Sequence, residues 1–516
     1  MKKKIKRLPS QPSSSTLGMA QKVRTLRSAS WQRMQEQNTV KLFHETAKRV
    51  PAYQAFLKAH KVHAKDIRTY NDFITRVPAT NKATYLRKYP LADLCWDGSL
   101  ARPAVFSSTS GSTGKPFYFQ RTPNLEEEYS ILAELFLSNG TNLPGPDCPT
   151  LVIIGFGMGV WIGGTLTFRA FDIASRRSHP ISILPAGVNK AEIMKALHDL
   201  SPSFKQTIII GYPPFVKDII DEAELEKIPL KKFNVRFLFA AEAFSEHFRD
   251  YLAKKAGIKN VYRDTLNIYG TADIGAMAYE TPTSILIRRL AMKNKKLFSR
   301  IFGEAHKTPT LAQYNPAFVS FEAPKGEVLL TGSSAVPLIR YAVGDHGGVH
   351  TYDEIEKILA ESGINLKKEA KKLNVPLYEL PFVYVYARVD LSTKLYGAII
   401  YPEHVRDALE EKEMQKLVTG KFTMMTVFDR NQNQSLEINV ELRKGIEASG
   451  PLLEKVQGRV LAHLLEKNSE YKNNHSAMAD RVLPKIVFWQ NGDPTYFTPG
   501  IKQKWVISSD TTQKKG

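Results

Sequence analysis

Between residues 104 and 270, short apolar runs alternate with longer stretches of helical period, and no other feature constrains the fold as much. The runs lie at 150–154, 206–210, 235–240 and 265–269; the helical stretches lie at 124–137, 190–200, 214–225 and 245–256. Strands alternating with helices form βαβ units, and parallel strands joined by crossover helices make a sheet covered on both faces. The pattern therefore predicts an α/β fold, with a large N-terminal domain of mainly parallel sheets and flanking helices. A chain of 516 residues has room for more than one domain. After Tyr386 the order restarts: a strand, a helix from Pro402, strands at 421–429 and 435–442, a helix at 450–467 and a strand near 485–489. That is a small α+β C-terminal domain. The expected division is a flexible basic tail over 1–28, a large domain over 29–389 and a small one over 390–516.

Charge and cysteine content narrow the partners. The net charge of +21 attracts nucleic acid, a lipid surface, a polyphosphate or an acidic protein. Two cysteines, Cys95 and Cys148, exclude a disulfide framework and a four-thiolate metal site built from this chain alone. They fit a reducing compartment, so a cytoplasmic location is expected. The basic start, Met1 to Arg7, has no apolar segment behind it, unlike a secretory leader. Residues 150–168 are uncharged and approach the length of a membrane span. Five glycines (Gly155, Gly157, Gly159, Gly163 and Gly164) point instead to a buried strand followed by a tight loop. A basic helical segment at 285–307 interleaves Ile, Leu, Met and Phe with Arg and Lys. It reads either as a solvated helix packing its apolar side or, over 285–302, as a contact with an anionic membrane.

The strongest local signal is Phe106-Ser-Ser-Thr-Ser-Gly-Ser-Thr-Gly-Lys-Pro116, after a predicted strand. Small residues let backbone N–H groups converge on an anion; the hydroxyls of Ser110, Ser112 and Thr113 and the charge of Lys115 add to them. It is not a Walker A loop, because Thr109 stands where glycine is needed and Pro116 where Ser or Thr is needed. A dinucleotide fingerprint fails too: Gly157 and Gly159 are followed by Ile162 in the third glycine's place. His346-Gly-Gly-Val-His350 lacks the glutamate of a zinc helix. Taken alone, the Ser/Gly stretch could equally be a surface loop.

Residues 107–116 resemble the phosphate loop of the AMP-forming acyl-adenylate synthetases, written S-S-G-T-T-G-x-P, and especially the phenylacetate–coenzyme A ligase branch. Further motifs follow in that family's order. Ala240-Ala-Glu-Ala-Phe244 resembles its G-A-E-P segment, and Asn267-Ile-Tyr-Gly-Thr-Ala-Asp273 its Y-G-x-(S/T)-E segment. Val336-Pro-Leu-Ile-Arg-Tyr-Ala-Val-Gly-Asp345 is similar to P-L-I-R-Y-x-x-G-D, and Ala387-Arg-Val-Asp390 to the G-R-x-D hinge. Thr498-Pro-Gly-Ile-Lys-Gln-Lys504 sits where a late G-K occurs, and Val77-Pro-Ala-Thr-Asn-Lys82 fits the N-terminal stretch. The resemblance spans roughly residues 40–507.

It implies a fold with a small mobile lid, and a reaction: carboxylate plus ATP gives acyl-AMP and pyrophosphate, then transfer to coenzyme A gives a thioester. ATP would be held by Ser110, Gly111, Ser112, Thr113, Gly114 and Lys115 at the phosphates and by Ala241, Glu242, Tyr269 and Gly270 at the adenine. Thr271 would touch the α-phosphate, Asp345 would accept from both ribose hydroxyls, and Arg388 would assist between ribose and phosphates. Lys502 would offset charge at the bridging oxygen, Asp390 would be the hinge, and Asp273 would hold Mg²⁺. Phe156, Gly157, Met158, Trp161 and Tyr212 would form the acid pocket, whose aromatic content suggests an aryl or hydrophobic acyl tail. Three departures stand out: Asp273 replaces the usual Glu, Ala387 the hinge glycine, and Ile501 offsets the late lysine. The partner is a small carboxylic acid. The alternatives are loading of an acidic acyl-carrier protein or another nucleophile, a catalytically degenerate nucleotide binder, and a nucleic-acid-binding protein. No aromatic-interleaved RNA motif or recognition helix supports the last, so no specific nucleic acid is expected.

Overall fold

The computed structural model describes residues 16–102, 104–108, 117–177, 179–303, 309–386, 392–497 and 506. Strands β1 (Val105–Ser108) and β2 (Tyr118–Arg121) form an antiparallel hairpin. Next come β3 (Thr150–Gly155), β4 (Ser182–Leu184), β5 (Gln206–Gly211), β6 (Arg236–Ala240) and β7 (Thr265–Thr271), joined by helices. These five pair in parallel, in the order β4-β3-β5-β6-β7. The sheet then continues antiparallel. Its further strands are β8 (Gly275–Tyr279), β9 (Thr310–Gln313), β10 (Val319–Glu322), β11 (Glu327–Gly332), β12 (Leu338–His350) and β13 (Phe382–Tyr386). From β7 their order is β8-β9-β13-β12-β11-β10, which completes eleven strands.

The sequence explains the parallel half. Thr150–Gly155 and Gln206–Gly211 are buried at every position, because helices cover both faces. The helices Pro123–Asn139 and Pro213–Leu225 each open on proline, whose fixed φ suits a first turn and whose missing N–H costs nothing there. The βαβ expectation holds over residues 150–271. Beyond it, four short strands (β8, β9, β10 and β13) join the sheet.

After residue 391 a hairpin of β14 (Thr393–Leu395) and β15 (Ala398–Ile400) leads into the small sheet β16 (Val418–Phe428), β17 (Gln434–Leu442) and β18 (Lys485–Trp489). Helices Gly450–Lys467 and Ser469–Val482 cover it. Leu395, Tyr396 and Val440 share one apolar core with Ile154 and Tyr212 of the large sheet's side.

Two expectations are corrected, and for the basic segment the structure matches the reading of a helix that packs its apolar side. Residues 1–28 were expected to be a flexible tail, but Thr16–Thr25 is a helix whose Met19, Ala20 and Val23 are buried in the core with Phe136. Residues 155–168 were expected to form a loop; instead a helix, Ile162–Arg177, starts there. Glycine is required at its first turn: a Cβ on Gly164 would lie 2.5 Å from the Gly157 carbonyl oxygen. The basic segment is two helices, Pro282–Met292 and Lys295–Phe302, with Leu286, Ile287, Ala291, Leu297, Ile301 and Phe302 buried. Those residues are not available for a membrane contact over 285–302. Arg288 is buried with them, paired to Glu246 at 3.1 Å and Glu280 at 3.2 Å. No helix among the described residues is long and apolar enough to cross a membrane.

Candidate active site

The site is built where β7, β8 and β12 meet the segment 77–82. Thr80 binds the edge of β12: its N–H donates to the Arg340 carbonyl at 2.9 Å, its carbonyl accepts from the Ala342 N–H at 2.8 Å, and its hydroxyl donates to the Ile339 carbonyl at 2.8 Å. Arg340, at φ 44°, clips the other side, donating to Glu322 at 3.0 Å and to the Val77 carbonyl. These contacts bring Lys82 to Asp273: Nζ lies 3.1 Å from Oδ1. The next residue of β12, Tyr341, donates its hydroxyl to Asp273 Oδ2 at 2.6 Å.

Arg121 ties the β1–β2 hairpin to the same turn. Its guanidinium donates to Ser107 Oγ at 2.8 Å, to the Asp273 carbonyl at 3.1 Å and to the Ala272 carbonyl. Residues 109–117 link β1 to β2, and the hairpin that carries this hydroxyl- and glycine-rich segment is fixed against Asp273. Ser110, Gly111, Ser112, Thr113, Gly114 and Lys115 themselves lie outside the described residues, as do Arg388, Asp390 and Lys502. Val506, four residues past Lys502, pairs with Met424 of the small sheet.

Tyr269, on β7, donates its hydroxyl to Asp345 Oδ2 at 2.7 Å. The two motifs that the resemblance assigned to adenine and ribose thus meet directly, although they lie 76 residues apart. Gly270 follows, where a Cβ would sit 2.7 Å from the Gly275 carbonyl oxygen; the β7–β8 hairpin closes only around glycine. Thr271 Oγ1 accepts from the Asp273 N–H at 3.2 Å and fixes the turn between the two strands.

Ala241 and Glu242 make a different set of contacts. Ala241 sits at φ 74° with its carbonyl accepting from Lys394 Nζ at 2.6 Å. The Glu242 carboxylate accepts from the Gly397 N–H and from Gln434 Nε2 at 2.8 Å. Both partners belong to the C-terminal part, so the Glu242 carboxylate ties the small domain to the segment after β6. Burial pushes its carboxyl above the ordinary range. Glu470 lies in the same electrostatic neighbourhood. Burial, offset in part by Lys394 and reinforced by Glu242, raises it to about 8.

The residues expected to form the acid pocket are together. Phe156 and Tyr212 meet edge to face at 5.1 Å, and a Cβ on Gly157 would touch Trp161 and the Tyr212 hydroxyl. A Cβ on Gly397 would lie 2.6 Å from Tyr212, and one on Gly157 would lie 3.6 Å from Asn473. The small domain therefore sits directly against this group. Met158 packs near Gly164 and Gly187.

Asp273 does not fit a metal ligand as placed. One carboxylate oxygen is paired with Lys82 and the other accepts from Tyr341. Lys82 already supplies positive charge beside it. The sequence reading missed Lys82, Tyr341 and Arg121 as site residues. The first two stood inside quoted motifs, and only tertiary contact marks them out.

Solved structures share this fold. The structure of 2-hydroxyisobutyryl-CoA ligase in complex with 2-HIB-AMP and CoA in the thioesterification state matches with TM-score 0.62 and 14% identity, covering 96% of this chain and 93% of that one. The chain has the acyl-adenylate synthetase fold. The same ligase in the postadenylation state with 2-HIB-AMP matches with TM-score 0.53 and 14% identity, over 99% of this chain and 96% of that one. Its open conformation with 2-HIB-AMP and CoA gives TM-score 0.53 and 14% identity, over 97% and 96%. No protein-family model matches the chain, and no curated protein does.

Proposed function

We propose that this chain is an ATP-dependent acid–thiol ligase, forming an acyl adenylate and then a coenzyme A thioester. The observation that carries this is the Tyr269–Asp345 hydrogen bond at 2.7 Å, which sets an aromatic face and a two-oxygen acceptor side by side next to the Arg121-anchored hairpin. A carboxylate suits a vicinal diol because each of its oxygens accepts one hydroxyl. Full-length likeness to a CoA ligase supports the same reading.

In the first step an oxygen of the substrate carboxylate bonds to the α-phosphorus of ATP, and the bond from that phosphorus to the bridging oxygen of pyrophosphate breaks. Such a displacement needs positioning and positive charge more than covalent help. Tyr269 packs on the adenine, Asp345 grips the ribose, and Thr271 and Lys82 lie at the α-phosphate end. The hairpin segment with Ser110, Ser112, Thr113 and Lys115 takes the outer phosphates. Arg388 and Lys502 add positive charge, Lys502 at the oxygen shared by carboxyl and phosphorus. No step is assigned to a metal at Asp273, whose oxygens are engaged. In the second step the thiol sulfur of coenzyme A bonds to the acyl carbon, its proton is lost, and AMP leaves. The small domain rotates about Asp390 between the two steps. The higher TM-score against the thioesterification-state structure supports reading the present arrangement as the thioester-forming one.

The test is incubation with ATP, magnesium, coenzyme A and a panel of carboxylic acids, with mass spectrometry of the products. Stoichiometric AMP and acyl-CoA from at least one acid are expected. AMP without any acyl-CoA would assign the second step to a different nucleophile, and neither product from any acid would refute the proposal.

A further inference from the structure

The residues following Asp273 wall a cavity of about 50 Å³, whose apolar lining includes Leu125, Ile274, Met277 and Phe318. Polar groups interrupt that lining, among them Glu128, Asn315 and Ser333. Asn315 is only 5% exposed and fixed at one end, since its Oδ1 accepts from the Ala317 N–H at 3.0 Å. Its other end, Nδ2, is buried with no hydrogen-bond partner. Glu128, on the helix Pro123–Asn139, has no ion pair or hydrogen bond to any described residue, and burial pushes its carboxyl well above the ordinary range. A buried donor left without a partner, as Asn315 Nδ2 is, costs a folded chain free energy and needs a reason.

We propose that the acid activated by this chain is short and carries a hydroxyl on its acyl chain, which seats in this cavity between Glu128 and Asn315. This rests on the ligase reading above and names the substrate class of that same site, with the acyl chain seated beside β8 rather than at the Phe156–Tyr212 cluster. The cavity abuts the reaction centre along the chain: Ile274, Ala276 and Met277 immediately follow Asp273 on the turn and on β8, and β7, its partner strand, carries Tyr269. Its size selects a short chain. One water needs about 10–15 Å³ of such space, so the cavity takes only a few non-hydrogen atoms and rejects an aryl or long alkyl tail. The polar pair selects the substituent. Asn315 Nδ2 is a donor and requires an acceptor, which an ammonium group lacks. A hydroxyl oxygen accepts from Nδ2 while its hydrogen donates to the Glu128 carboxyl, in either protonation state of that acid. An unsubstituted chain would leave Asn315 Nδ2 unpaired, and a site built around a substrate hydroxyl discriminates strongly against the analogue lacking it.

The experiment is pyrophosphate exchange into ATP, measured as kcat/KM for matched pairs of two- to five-carbon acids with and without a hydroxyl, plus amino-substituted and arylacetic acids. In the unmodified chain the best hydroxy acid should exceed its unsubstituted counterpart at least tenfold. Two variants locate the preference. Glu128→Leu suits the apolar wall in size and should not lower the melting temperature; Asn315→Asp keeps the oxygen that caps Ala317 and removes the Nδ2 donor. Each should shrink the hydroxy-to-unsubstituted ratio at least fivefold. Exchange with unsubstituted or aryl acids that equals or exceeds that with hydroxy acids would overturn the substrate class and leave the ligase reading standing. An undiminished ratio in both variants would overturn the assignment to this cavity. Absence of exchange with every acid would overturn the ligase reading and this inference together.

Discussion

Replacing Tyr269 with phenylalanine keeps the ring and removes the hydroxyl that donates to Asp345 at 2.7 Å. That distance is the usual one for an O–H···O bond. A hydrogen bond to a charged group contributes about 1.5–3 kcal/mol, and the half-buried setting of Asp345 places this one near the low end. At about 1.4 kcal/mol per factor of ten, the loss is roughly tenfold. The bond orients a side chain that grips the ribose equally before and during reaction. Its removal therefore weakens uniform binding and appears in KM rather than kcat. The assay is steady-state exchange at saturating acid with ATP varied, alongside a melting curve. Tyr269→Phe should raise KM for ATP roughly tenfold, with kcat changed less than threefold and the melting temperature nearly unchanged. An unaltered KM, or a lowered melting temperature with normal kinetics, would refute the reasoning and make the bond a structural tie.

Other consequences follow from the same contacts. Lys82→Met strips the partner from a nearly buried carboxylate, so it should lower both the melting temperature and the exchange rate; adding Asp273→Asn should restore the first but not the second. Glu470, raised to about 8, is protonated when the small domain is seated, so the folded arrangement holds a proton that the unfolded chain gives up at its ordinary lower value. Stability should therefore fall as pH rises from about 4.5 to about 8 and stay low above that, with Glu470→Gln flattening the profile of melting temperature against pH. Glu280 is wholly buried and accepts from Arg249 at 2.8 Å, Arg288 at 3.2 Å and the Asn267 N–H at 3.0 Å. Glu280→Gln should cost about 3 kcal/mol, read as a lower guanidinium midpoint with an unchanged m-value.

Much of this architecture was legible in the sequence because its cues are local. Thr150–Gly155 and Gln206–Gly211 are continuous apolar runs, and the helices between them are punctuated by proline and by capping residues such as Asn189 and Ser245. The short strands β8, β9 and β10 left no such trace. They have five residues or fewer, and their pairing is decided by neighbours distant in sequence. The helix Ile162–Arg177 was hidden by its two opening glycines, of which Gly164 is required by close contact with Gly157 rather than by turn formation. The tail expectation failed for residues 16–25 because the segment is polar in composition yet buries three apolar side chains. At the site, Tyr269 and Asp345 were found through their motifs and do meet. Glu242 was found the same way, but its carboxylate serves the small domain, a contact that only the folded chain reveals. Arg121 carried no motif at all; it is recognisable only once β2 lies beside the Asp273 turn.

The most direct measurement is carboxylate-dependent exchange of labelled pyrophosphate into ATP, because it reports formation of the acyl adenylate without needing the identity of the final acceptor. The account predicts exchange with at least one acid, its loss in Asp345→Ala, and none when the acid is omitted. Exchange that is absent for every acid, or that survives intact in Asp345→Ala, would contradict it.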